Sequence, residues 1–336
     1  MTPPPTGWRP RAARRSWRAP CNRPPGRELS PGGELGHLAL RTPEAGTLPA
    51  VLDTVAGWQR DDLPLQLHPG DLGWAWQIGV APLADRLRTW STDGRILAVG
   101  FLDGPTLLRL AIAPGAGADP ALAERIAADI ADPARGILPA GPASIEAGFG
   151  DTLRGRLRSD GWSDGLNGHL PRDGRGEGDI WAQLVRDLSD PVPDPGVRIE
   201  VVGASRVAGR VAVQRAAFES SRFTADRWQA VADGPAYASA RCLLAYDRAG
   251  SAVAMVTVWS AGAGRPGLLE PMGVHPAHRG HGHGRAICLA AAAALRDLGS
   301  SSATVHTPAG NAAGVATYAS AGYRRLPDAA DLVRSA

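Results

Sequence analysis

Lysine is absent from this sequence, and all 36 basic residues are arginine. With abundant Ala, Gly and Pro, that usage points to coding by a GC-rich bacterial genome. Cysteine is scarce. Cys21, Cys242 and Cys288 form an odd, widely spaced set without a CxxC, which excludes a disulfide framework and a thiolate zinc site and fits a reducing cytoplasm. No run of 18 apolar residues occurs, so no membrane-spanning helix is expected, and the residues after Arg14-Arg15 lack the apolar stretch of an export signal. What remains is ordinary: 44% hydrophobic and 21% charged residues over 336 positions predict soluble, cytoplasmic globular protein, long enough for two domains.

A pI of about 9.0 raises the question of nucleic acid, and the distribution of charge answers it. The first 30 residues hold seven arginines against Glu28, a balance of +6, so the other 306 carry −3 of the total +3. A basic arm on a mildly acidic body does not make a broad phosphate-binding face, and no specific nucleic-acid partner is expected. Residues 1–33, rich in Pro, Arg and Gly, present no periodic apolar face and read as a disordered basic extension.

Residues 34–188 form a first mixed α/β region. Strands are expected over 95–104 and 106–114, and then a helix through 121–130, with Asp119 as N-cap and Pro120 in its first turn. The Pro- and Asp-rich stretch 189–196 reads as a linker. In 197–336 the expected order is a strand at 197–204 and a helix at 206–218. Strands at 240–250, 251–261 and 267–274 follow, then a glycine-rich loop and a helix at 285–298 ending at Gly299. A strand at 303–307, a short helix at 314–321 and a strand at 322–326 complete it.

The loop Val274-His275-Pro276-Ala277-His278-Arg279-Gly280-His281-Gly282-His283-Gly284 carries the strongest chemical signal. Glycines at 280, 282 and 284 let backbone N–H groups turn inward as an anion nest, and the helix N-terminus behind adds partial positive charge; a pyrophosphate suits it. It lacks the Rossmann arrangement of strand, GxGxxG and acidic residue. A second element stands downstream: Asn311, then Tyr318 on a short helix, then Gly322-Tyr323.

Together these resemble the GNAT superfamily of N-acetyltransferases, whose phosphate-loop motif is matched by Arg279-x-x-Gly282-x-Gly284 and whose downstream motif is matched by Asn311, Tyr318 and Gly322-Tyr323. The resemblance implies an acetyl-CoA site without metal. It places the pantetheine arm on the backbone of Met272, Gly273 and Val274, and the pyrophosphate on residues 279–285, that is Arg279, Gly280, His281, Gly282, His283, Gly284 and Arg285. Asn311 either orients the cofactor or caps the helix that follows. Tyr318 is the expected general acid for the departing thiolate, the alternative being a wall aromatic. Glu270, a carboxylate in an apolar strand, is the expected base for the acceptor amine, its alternative an ion pair or a strand-ordering role. Glu219 and Asp226 are further carboxylates that could meet the acceptor. The histidines at 275, 278, 281 and 283 read as loop polarity rather than a metal site, and Cys242 and Cys288 as small core residues.

The first region resembles a worn copy of the same unit. Aligning Ile112-Ala113-Pro114 with Val274-His275-Pro276 puts Gly117, Pro120 and Leu122 at the positions of Arg279, Gly282 and Gly284, and aligning Gly161-Trp162 with Gly322-Tyr323 puts Leu157 at that of Tyr318. The expected fold is therefore mixed α/β (α+β-like). Two GNAT-type domains stand in tandem, each a twisted mixed sheet flanked by helices, and the first is degenerate. The expected activity is acetyl, or short acyl, transfer from acetyl-CoA to a primary amine on a small-molecule or peptide acceptor by direct attack. A catalytically inactive acyl-CoA-binding or interaction module is the alternative. Trp58, Trp74, Trp76 and Trp90 either wall an acceptor pocket or fill the core. The acceptor and the oligomeric state are not legible.

Overall fold

A computed structural model describes residues 38–165, 180–219 and 221–335. The basic extension expected over 1–33 lies outside the described residues. The first half contains β1 (Ala39–Arg41), α1 (Leu48–Trp58), α2 (Pro69–Ala75), α3 (Val80–Asp85), β2 (Leu87–Thr92), β3 (Arg95–Leu102), β4 (Leu107–Ile112), α4 (Pro120–Ala131), β5 (Ala143–Glu146), α5 (Asp151–Ser159) and β6 (Ser163–Asp164). The second contains β7 (Ile180–Asp187), β8 (Arg198–Val201), α6 (Val207–Ala217), α7 (Ala225–Asp233), β9 (Ala240–Tyr246), β10 (Ala252–Ser260), β11 (Gly267–Val274), α8 (His283–Asp297), β12 (Ser302–Pro308) and α9 (Ala312–Ser320). Three short strands end the chain, β13 (Arg324–Arg325), β14 (Ala329–Ala330) and β15 (Leu332–Arg334).

Local chemistry accounts for these elements. Asp93 and Gly94 both take positive φ, giving β2 and β3 a tight hairpin turn that matches strand twist. Asp119 caps α4 and Pro120 opens it, as the sequence predicts. The strands are continuous apolar runs because both faces of each sheet are covered. In β3, Leu97 and Ala98 pack with α4 and α5, whereas Val99 and Phe101 pack with α1 and α3. In β10, Val256 and Val258 share a core with α8, while Met255 joins Val213 of α6 and Trp228 of α7.

The two sheets run β1-β2-β3-β4-β5-β15-β6 and β13-β7-β12-β11-β10-β9-β8, with β14 also on β7. Each contains one parallel pair, β4 with β5 and β11 with β12, among antiparallel neighbours. Two strands cross the boundary expected at 189–196. β7 precedes the linker but pairs with β12 from Trp181 to Asp187. The C-terminal β15 returns to lie between β5 and β6. The strand expected over 322–326 is thus the short β13 and not the last one. The described residues belong to one compact unit by their internal contacts. No helix among the described residues is long and apolar enough to cross a membrane.

Candidate active site

Pro271 cannot donate to the ladder, and the β10–β11 register slips between the Val256–Met272 and Val258–Leu269 pairs, leaving Glu270 and Pro271 opposite Thr257 alone, one residue of extra length on β11. β11 meets β12 only at Gly267–Ala303 and Leu268–Thr304. Beyond these residues the two parallel strands part and open a cleft.

The far part of that cleft is a cavity of about 400 Å³. Its walls bring together Met272, Gly273, Val274, Arg279, Gly280, Gly284, Asn311 and Tyr318 from three separate stretches of the chain. Gly280 and Gly282 have φ of 78° and 81°, a left-handed backbone disfavoured for other residues. Gly282 is the N-cap of α8 and has no side chain to cap it, so the first amides of a 15-residue helix point outward uncapped. Gly284 sits against α9, where a Cβ would lie 2.8 Å from Thr317 Cγ2. Asn311 caps α9, accepting from the Gly314 N–H at 3.0 Å, and its Nδ2 donates to Thr307 Oγ1. Tyr318 is buried, its ring 6.0 Å from that of Tyr323, and burial pushes its hydroxyl well above the ordinary tyrosine range.

Other loop side chains point elsewhere. His281 and His283 line a neighbouring cavity of about 990 Å³ with Arg198, Arg248 and His278. Arg285 donates to the Ser320 carbonyl, and Gly282 lines neither cavity. The ring centroids of His275, His278, His281 and His283 lie 5.3–6.3 Å apart, and among the described residues no group of three or more His, Cys, Asp or Glu is arranged to hold a metal ion. Cys242 and Cys288 are buried.

Glu270, two residues before Met272, faces a different cavity of about 260 Å³ walled by both halves of the chain. Burial pushes its carboxyl up to about 7, with Asp71, Asp103 and Glu146 adding to the shift and Arg109 opposing it. Arg109 donates Nε and Nη2 to Glu146 and Nη1 to Asp71 and Asp103. His68 and His306 stand in the same wall, both pushed down by burial. These residues escaped the sequence reading because they come from five separate elements. The signal that singled out Glu270, a charge inside an apolar strand, also marks Arg109 in β4 and Glu146 in β5. Glu219 and Asp226 are exposed and line neither cavity. Trp76 and Trp90 are core residues, Trp74 stacks on Phe223 with centroids 5.1 Å apart, and Trp58 packs against the core, so none of the four walls this cavity.

The corresponding place in the first half is closed. The Asp119 carboxylate itself accepts from the Ala121 and Leu122 N–H groups at the α4 N-terminus, so the protein's own anion sits there. Leu157, at the tyrosine position, is buried in the core.

Residues 212–323 match the acetyltransferase (GNAT) family. No curated protein matches the chain by sequence. Among solved structures, a GCN5-related N-acetyltransferase from Sphaerobacter thermophilus matches with TM-score 0.52 and 16% identity, over 88% of this chain and 95% of that one. A tandem GNAT protein from the clavulanic acid biosynthesis pathway matches with TM-score 0.53 and 14% identity, over 89% and 98%. A GNAT-family acetyltransferase from Colwellia psychrerythraea gives TM-score 0.53 and 12% identity, over 88% and 98%. At these identities the structures speak for the fold. By sequence, residues 212–323 are thus a GNAT acetyltransferase segment, with the uncapped loop and the cleft inside it, and the fold of the whole chain is similar to that of solved GNAT structures, a tandem one among them.

Proposed function

We propose that the C-terminal half transfers an acetyl, or short acyl, group from acetyl-CoA to a primary amine by direct attack. The observation that carries this reading is the uncapped N-terminus of α8 beside a cleft lined by Gly280, Gly284 and Tyr318 together. The amides after Gly280 and Gly282 would receive the pyrophosphate, and the free edge of β11 at Met272, Gly273 and Val274 would receive the pantetheine amides. These residues fit an acyl-CoA, because nothing of the protein's own caps the helix there. When bound, acetyl-CoA supplies the activated acyl group.

Glu270 takes the proton from the acceptor ammonium, so that the nitrogen attacks uncharged. Its carboxyl, pushed up to about 7, is basic enough for that task and ionised just above neutrality. Tyr318 gives its hydroxyl proton to the departing sulfur, and the second proton that the nitrogen sheds as the amide forms returns the tyrosinate to its hydroxyl. Burial keeps that hydroxyl protonated across the working range, and no side chain or carbonyl among the described residues accepts a hydrogen bond from it. The acceptor reaches Glu270 through the cavity shared by the two halves.

Gly282→Asp tests the reading. Aspartate is a good N-cap and tolerates positive φ better than most residues, so α8 should keep its fold while a carboxylate replaces the anion site. Acetyl-CoA affinity by calorimetry should fall by about 100-fold or more with the melting temperature held. Unchanged affinity would sink the assignment of the site.

A further inference from the structure

We propose that the acceptor is a small aliphatic amine carrying a second cationic group, recognised by the carboxylates that the degenerate half contributes to the Glu270 cavity. This rests on the acyl-transfer reading of the same site.

The cavity carries an excess of negative charge. Asp71, Asp103, Glu146 and Glu270 face the cavity with Arg109 as the one guanidinium among them. The two imidazoles there, His68 and His306, are held toward the neutral form by burial and do not offset the excess. One carboxylate, Glu270, is assigned to the reacting nitrogen. The other three outnumber Arg109, and a buried charge excess of this kind calls for a counter-charge in the ligand.

Hydrogen-bonding capacity, apart from charge, points the same way. Every side-chain donor nitrogen on the wall except that of His306 already has a protein acceptor. All three Arg109 nitrogens are held by Glu146, Asp71 and Asp103. Gln59 Nε2 donates to the Val55 and Leu67 carbonyls, and Gln66 Nε2 to that of Ile112. His68 Nε2 is 3.2 Å from the Pro266 carbonyl, and Trp181 Nε1 donates to Asp331. The Thr304 hydroxyl donates to Gly267. Acceptors remain instead: among the described residues neither oxygen of Glu270 accepts a hydrogen bond, and Gln59 Oε1 and the Thr304 lone pairs are also open. Such a wall offers lone pairs and few protons, which suits ammonium groups and rejects carboxylates.

The Arg109 fork is where an amino-acid carboxylate would otherwise be bound. Bidentate Glu146 occupies it, with Nε–Oε2 at 2.7 Å and Nη2–Oε1 at 3.2 Å. Size narrows the class further. A cavity of about 260 Å³ falls below the usual volume of about 300–1,000 Å³ for drug-sized ligands, so aminoglycosides and folded protein N-termini are poor fits.

Three four-carbon probes separate the possibilities: putrescine, n-butylamine and γ-aminobutyrate. Their binding to the full chain with CoA present is measured by calorimetry, and release of the CoA thiol from acetyl-CoA is followed in parallel. Putrescine should bind at least about tenfold more tightly than either analogue. Asp103→Asn, a change at a half-exposed loop residue that leaves the strands intact, should weaken putrescine and narrow its lead over γ-aminobutyrate by loosening the grip on Arg109. Equal or tighter binding of n-butylamine or γ-aminobutyrate, or no putrescine binding at millimolar concentration, would overturn the proposal. Selective putrescine binding without thiol release would uphold the recognition site and overturn acyl transfer, so the two readings fail separately.

Discussion

Glu270 and Tyr318 are close enough for the carboxylate to raise the cost of ionising the hydroxyl. The Glu270 carboxylate is among the influences that push the Tyr318 hydroxyl up, after burial and Cys288. Such coupling suits a base and an acid used at opposite ends of one transfer. Glu270→Gln removes the base while keeping the shape, and should lower kcat/KM by about 100-fold or more and abolish the limb that rises through pH 7. A loss without change of pH profile would give Glu270 a packing role. The same variant has a stability signature. A carboxyl raised from 4.5 to about 7 binds its proton more tightly in the folded chain than in the unfolded one. Its cost is therefore absent below about 4.5, grows as pH rises and is complete above about 7, at no more than about 3 kcal/mol. Thermal melting of Glu270→Gln should exceed that of the parent at pH 8 and match it at pH 4. Tyr318→Phe should leave acetyl-CoA affinity within about twofold and reduce kcat by about 10- to 100-fold, since it removes a proton and little contact area. Intact kcat would leave Tyr318 as a wall aromatic.

Helix α2 shows how the first half reaches the second. Gly70 and Gly73 lie against the Trp259 ring, where Cβ atoms would stand 2.6 and 2.5 Å from it, so only glycine permits this approach. His68 caps the helix: its Nδ1 accepts from Gly70 N–H at 2.9 Å, the His68 backbone N–H donates to the Asp71 carboxylate at 2.7 Å, and its Nε2 reaches the Pro266 carbonyl in the other half. Burial pushes this imidazole down to about 4. Below pH 6.5 the unfolded chain takes up a proton that the folded one refuses, so stability is full above 6.5 and is lost as pH falls toward 4, by up to about 3 kcal/mol. In His68→Asn the cap remains and the titration goes. Its denaturation midpoint should vary less between pH 6.5 and 4 than that of the parent, and a parallel fall would assign the acid sensitivity to other groups. At this scale the sequence was legible wherever a signal is local. Asp119-Pro120, the Asp247–Gly250 turn, the α8 stop at Gly299 and the loop of 279–284 all sit where residue chemistry places them. The Glu270 cavity was not legible, because Asp71, Arg109, Glu146 and His306 are brought together by tertiary packing alone. Nor could side-chain direction be read inside the loop: alternation and motif do not tell that His281 and His283 face a neighbouring cavity.

At the scale of the whole chain, the exchange of strands ties the halves together. Pairing partners far apart in sequence leave no local pattern, and β7 and β15 are short segments whose apolar content would suit either sheet. β7 contributes seven register pairs to β12 and also supports β13 and β14, so without it β12 becomes an unpaired edge. β15 fills the space between β5 and β6, and Leu332 is fully buried in the first core. Its Arg334 lies over Trp162 at 4.9 Å and donates to the Gly141 carbonyl. Cutting the chain at 189–196 therefore breaks both sheets. Fragments 38–188 and 197–335, expressed separately, should lack dispersed amide spectra and cooperative melting. A chain ending at 328 removes β14 and β15, exposing Leu332's partners and two sheet edges, and should lose at least about 3 kcal/mol by denaturant titration. Co-expressing the two fragments supplies both exchanged strands in trans, and recovery of a folded complex from halves that fail alone would assign their dependence to β7 and β15. If either fragment folds cooperatively alone, the exchange is an ornament on two independent domains, and the acceptor cavity between them is free to open.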